Sequence, residues 1–136
     1  MTQIISTLAI STVQSALLVV SACYSTGFAI FHLCFWRIFD WRKDLGQLTH
    51  INRGVVQILN LCLAFVFILF AYLAIAHREE MISTAIGRSL LAGISVFWFL
   101  RMIEQIVFFG FKRPVSIGFT IVFLVGAFLH ALLLYV

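Results

Sequence analysis

Long apolar runs separated by brief polar stretches set the pattern of this chain. A helix needs about 20 predominantly apolar residues to cross the hydrocarbon core of a bilayer. Four runs qualify, at about 9–36, 55–76, 89–111 and 114–136. They predict an all-α polytopic membrane protein: a four-transmembrane-helix antiparallel bundle forming one integral membrane domain over residues 1–136. The stretch 4–36 that supplies the first span would measure about 50 Å as a single helix, more than the bilayer needs. Its early polar positions (Ser6, Thr7, Ser11, Thr12, Gln14, Ser15) are expected at the interface or outside it. Between the first two spans Ile38, Trp41, Leu45 and Leu48 recur at helical spacing, with Arg42, Lys43 and Asp44 off that stripe. This predicts a short amphipathic helix on the membrane surface. Thr49 is a candidate N-cap for the second span, and Pro114 suits the first turn of the fourth.

Composition defines the environment. The 136 residues are 63% hydrophobic and 10% charged, with a mean hydropathy of +1.13. A soluble domain of this length needs far more polar surface, so the bilayer is the natural solvent. Cys23, Cys34 and Cys62 lie inside apolar runs without metal-type spacing, which makes them small packing residues; no metal is expected. Val20-Ser21-Ala22-Cys23 resembles a lipoprotein cleavage box, but no Lys or Arg precedes it to form a signal's positive region. The first run is therefore expected to stay in place as a span. The net charge of +4 fits loops lying near anionic lipid. Nucleic-acid binding needs a basic solvent face that the pattern lacks, so no such partner is expected.

The charges also orient the chain. Arg37, Arg42 and Lys43, with Arg53 just beyond, mark the first loop, and Lys112 and Arg113 mark the last. The middle loop carries Arg78 and Arg88, partly offset by Glu79 and Glu80. By the positive-inside rule the first and third loops face the cytoplasm. The expected location is a bacterial inner membrane, with both termini on the non-cytoplasmic side. Trp36 and Trp41 fit an aromatic belt at the cytoplasmic edge.

Candidate chemistry lies inside the spans. Arg101, followed by Glu104 and Gln105, sits in the third run, where a charge costs about 2.5–3.5 kcal/mol on insertion scales. In the second, His50, Arg53, Gln57 and Asn60 share one helical face, continued by Ala64 and Ala71. In the first, Gln14, Ser21, Ser25 and His32 share another. Counting from the cytoplasmic ends puts Asn60 and Arg101 each about 15 Å deep. An antiparallel pair would then set Arg53, Gln57 and Asn60 beside Arg101, Glu104 and Gln105, with His32 and His50 nearer the surface. Phe65, Phe67 and Phe70 are expected to close this cluster toward the outer half. Two readings stay open: a pocket for a lipid headgroup, ion or small substrate, or an Arg101–Glu104 ion pair that locks helix register.

The four histidines raise haem as an alternative, although no cofactor is expected. Two axial ligands must face each other at equal depth, and His77 and His130 differ by about 10 Å on counting. His32 and His50 lie near the surface of the other leaflet. Four spans in this length, with a polar stretch opening the second, resemble the MAPEG family of glutathione-dependent membrane enzymes. His50-Ile51-Asn52 and Arg53 are similar to its His-x-Asn element, and Arg101 and Lys112-Arg113 to other basic positions of the family. Val55 stands where the family carries glutamate, and the proline that usually follows is absent. The resemblance implies a lipid- or amphiphile-modifying enzyme; a small transporter or channel is a further alternative. The preferred reading is a non-catalytic subunit or interaction protein of a membrane assembly. Its expected partners are membrane lipids and either other transmembrane subunits or further copies of itself.

Overall fold

The computed structural model describes residues 11–136. The expectations for Ser6 and Thr7, and the opening of the first span at 9–10, lie outside the described residues. In chain order the helices are α1 (Thr12–Leu33), α2 (Phe35–Ile38), α3 (Trp41–Asp44), a 3₁₀ turn at Leu45–Gln47, α4 (His50–Ala76), α5 (Arg78–Ser83), α6 (Ala85–Phe109) and α7 (Pro114–Leu132). The described residues form helices and no strand. Four of the helices, α1, α4, α6 and α7, are long and apolar enough to cross a membrane. A helix meets its backbone N–H and C=O groups within itself, which hydrocarbon requires because no water is there to do it.

Local chemistry places the helix ends. Ser11 and Gln14 form a reciprocal capping box: Ser11 N donates to Gln14 Oε1 at 3.0 Å, and Gln14 N to Ser11 Oγ at 3.1 Å. Thr49 Oγ1 accepts from Asn52 N at 3.4 Å at the start of α4. Thr84 Oγ1 accepts from Gly87 N at 2.9 Å at the start of α6. Pro114 occupies the first turn of α7. Both α4 and α6 open ahead of their apolar runs, since caps and not the hydrocarbon boundary decide where helical hydrogen bonding begins. Gly110, at φ 60°, ends α6 in a conformation that a side chain would strain.

The segment between α1 and α4 is not one continuous amphipathic helix. Asp40 adopts a left-handed conformation, φ 46° and ψ 46°, and separates α2 from α3, which runs directly into the 3₁₀ turn. Aspartate tolerates this region better than most residues. Of the apolar stripe expected there, Leu45 is buried, whereas Ile38 and Leu48 are exposed.

The chain divides into two compact units, residues 22–73 and residues 1–21 with 74–136. In the second of these, α6 and α7 form a hairpin. Ser95 Oγ donates to Ala127 O at 2.8 Å, Trp98 stacks on Phe123 at 6.0 Å, and Gln105 Nε2 donates to Ser116 Oγ at 3.1 Å. Positions rise along α6 as they fall along α7, so the pair is antiparallel. Its buried stripes follow helical spacing: Leu91, Ile94, Trp98 and Gln105 on α6, and Ser116, Thr120, Phe123, Ala127 and His130 on α7. Lipid tails are as apolar as these side chains, so close packing and hydrogen bonds hold the hairpin, not the hydrophobic effect. At its other end, α5 rests directly on Gly87, where an added Cβ would collide with Glu80 O and the Met81 backbone.

Within residues 22–73 the last turns of α1 pack on α4. Phe28 meets Phe67 at 5.6 Å, and a ladder of rings continues through Phe31, Phe35, Phe39 and Trp41. The buried stripe of α4 carries Asn60, Ala64 and Phe67. Phe65, expected to help close the polar cluster, is instead 64% exposed, because it sits off the stripe that Ala64 and Phe67 define.

The packing at Gly87 yields a stability test. Gly87→Ala is expected to cost about 1–3 kcal/mol through overpacking against α5. Gly93→Ala and Gly118→Ala, with open space where the Cβ would go, should leave the detergent thermal midpoint unchanged or raised. Thermal unfolding of the three variants measures the difference.

Candidate functional site

The polar side chains of the spans gather into separate ties. The most enclosed joins α1 to α7. Ser21 Oγ lies 2.8 Å from His130 Nε2, and His130 Nδ1 lies 2.7 Å from Gly126 O. A carbonyl oxygen only accepts, so Nδ1 carries the ring proton. With a neutral ring Nε2 accepts, and the Ser21 hydroxyl donates to it. A hydroxyl, an imidazole and an orienting acceptor are the parts of a nucleophile–base pair. Here, however, Ser21 is 2% exposed and His130 0% exposed, which leaves no face for a substrate carbonyl. The arrangement works as a bolt.

A second tie joins α1 to α4. Asn60 Nδ2 donates to His32 O at 3.0 Å, which fixes the amide orientation. Asn60 Oδ1 is then the acceptor for His32 Nδ1–H at 2.8 Å. The His32 ring stacks on Phe35 at 4.4 Å and leans on Phe67 at 5.2 Å. The asparagine thus holds both the backbone and the ring of one histidine.

The third tie closes the turn between α6 and α7. Gln105 Nε2 donates to Ser116 Oγ, which in turn donates to Gly110 O at 2.5 Å. Thr120 Oγ1 donates to Ser116 O at 2.9 Å. Gln105 therefore turns into the hairpin and away from the face of Glu104.

Arg101 and Glu104 form an ion pair on α6, with the Arg101 guanidinium over the Phe123 ring at 5.1 Å. Their side chains remain 35% and 49% exposed. Arg53 serves a different purpose: its Nε donates to Leu45 O at 2.8 Å and its Nη2 reaches Gly46 O and Leu48 O, fastening the 3₁₀ turn to α4. Gln57 Nε2 donates to Arg53 O at 2.9 Å. His50 sits exposed at the start of α4.

Of the residues expected in one cluster, the structure brings together His32 with Asn60, Arg53 with Gln57, and Arg101 with Glu104. The hydrogen bonds of Arg53, Gln57 and Asn60 are made within residues 22–73, and those of Arg101 and Gln105 within 74–136. Of the histidines considered for haem, His130 has both ring nitrogens engaged, and His77 lies 3.9 Å from Glu80. The roles of Ser116 and Thr120 were not anticipated. Their signal was there to find, as two hydroxyls one turn apart at the start of the last span.

Four candidate spans define the class: an integral membrane protein. No protein-family model, no curated protein and no solved structure matches the chain. The likeness of residues 50–53 to the MAPEG element therefore rests on those residues alone.

The ties predict coupled losses of stability. Ser21→Ala and His130→Ala should each destabilise, and the double variant should lose less than their sum by about 0.6–1.7 kcal/mol. The same holds for His32→Ala with Asn60→Ala. Denaturant unfolding in mixed micelles reads both cycles, and simple additivity would show that the bonds carry no energy.

Proposed function

We propose that this chain is a non-catalytic subunit or interaction protein of a membrane assembly. The observation that carries the reading is how its intramembrane polar groups are used. Ser21 with His130, His32 with Asn60, and Gln105 with Ser116 are directed at one another, whereas a substrate site needs polar groups converging on a cavity. Two hollows on the 74–136 unit have apolar walls from α6 and α7. Their single hydroxyl side chain, Ser95, is already donated to Ala127 O. Arg101 and Glu104 remain outward-facing, and intramembrane charge on an outer face suits contact with a neighbouring subunit.

The four spans are proposed to form an antiparallel bundle, with residues 35–48 lying in the interface. Trp36 and Trp41 in that segment suit the headgroup level, and Arg37, Arg42 and Lys43 suit anionic lipid. The loops at 37–49 and 110–113 would face the cytoplasm of a bacterial inner membrane, with both termini on the opposite side. Lipid tails would coat the exposed apolar faces, and other transmembrane subunits or further copies of the chain would cover the rest.

Two measurements test this. Tagged protein extracted from its native membrane in mild detergent should migrate well above its 15.4 kDa chain mass. Migration as a lone monomer would overturn the reading, as would lipid or thiol-conjugate turnover that Arg101→Ala abolishes without loss of fold. Alkaline phosphatase fused after Val136 should be active and, fused within 110–113, inactive; the reverse pattern would invert the orientation.

A further inference from the structure

We infer that the face of α6 bearing Arg101 and Glu104 docks a second copy of this chain, each copy's arginine reaching the other's glutamate. The inference rests on the assembly reading above and names its partner. By helical rise Arg101 lies about 12 Å, and Glu104 about 8 Å, inside the C-terminal end of α6. Arg101 donates from Nη1 to Glu104 Oε2 and holds its Cζ over the Phe123 ring. A guanidinium has five N–H donors and a carboxylate about four lone-pair sites, so one bond leaves most of both unused. The remainder faces outward, with the two side chains 35% and 49% exposed. In hydrocarbon such groups need a polar partner.

The pair is complementary to itself. A two-fold axis along the membrane normal keeps both copies the same way up and makes the contact isologous. Arg101 of one copy then stands about 4.5 Å in depth from Glu104 of the other, within reach of an arginine side chain. The four charges sum to zero, which lowers the cost of burying them. A lipid phosphate would match Arg101 but repel Glu104. The surrounding face also suits a helix. Gly93, Leu100, Glu104 and Phe108 recur at helical spacing, Leu100 and Phe108 are more than half exposed, and Gly93 has open space over its Cα for close approach.

The experiment counts subunits of the full chain in lipid bilayers by single-molecule photobleaching. The wild type should be dimeric. Arg101→Glu alone and Glu104→Arg alone should each weaken self-association about tenfold or more. Mixed together, these two variants should form heterodimers, since one carries two negative charges and the other two positive. A monomeric wild type, or a dimer indifferent to both substitutions, overturns the proposal. So does a monomer that co-purifies a zwitterionic lipid lost on substitution, which would make the face a headgroup site. If the charge variants fail to fold, cysteine cross-linking decides in a background where Cys23, Cys34 and Cys62 are replaced. Leu100→Cys should cross-link between copies and Ile121→Cys should not; the opposite result overturns the proposal. A monomeric wild type that still migrates with other proteins from native membrane would sink the dimer alone. A chain that is alone in both settings would sink the assembly reading with it.

Discussion

A polar group carried into hydrocarbon is costly unless it finds a partner inside the protein, and this constraint shapes most of the described chain, with the buried Ser25 hydroxyl left unbonded as an exception. Helices satisfy it for the backbone, which is why the described residues are helical almost throughout. Side chains are the remaining debt. Ser21, His32, Asn60, Gln105, Ser116, Thr120 and His130 each meet it through one or two short hydrogen bonds. Interhelical bonds of this kind are worth about 0.6 kcal/mol each on average. Their larger effect is on specificity, because a helix rotated or shifted by one residue would strand the same groups in lipid.

Specificity matters here because apolar packing supplies little of it. Leu, Val, Ile and Phe face outward along all four long helices as readily as they face inward. Burying one of them inside the protein exchanges lipid contacts for protein contacts at small net gain. What distinguishes inside from outside is shape and polarity. Trp98 stacked on Phe123, Gly87 under α5, and Asn60 reaching His32 are single-fit contacts. Each pins a register that a smooth aliphatic face would leave free.

Arg101 and Glu104 obey the same rule differently. They are charged groups well inside α6, yet both side chains stay partly exposed, and the ion pair between them uses only part of their hydrogen-bonding capacity. A group that is stabilising only when something covers it is an address for a partner. Gln105, one position along, turns the opposite way and is buried in the α6–α7 hairpin. Two adjacent polar residues thus divide between holding the protein together and facing its surroundings, because neighbours on a helix point about 100° apart.

Hydropathy alone determined the helical class, the four candidate spans and the polar positions, since each depends on composition within one stretch of chain. Several ends were equally legible, as with Thr49 as a cap and Pro114 in a first turn. The partners were not. Depth counting set Asn60 level with Arg101 but named no hydrogen-bond partner for it; the structure shows Asn60 bonded to His32 on α1, because depth fixes one coordinate and leaves rotation about each helix axis open. The same gap hid the Ser21–His130 bolt, whose members lie at opposite ends of the sequence. It also hid the break at Asp40, where one residue's left-handed backbone interrupts a periodicity that continues on either side. Which polar residue closes on which, and which faces outward, depends on azimuth and packing, and only the tertiary structure settles those.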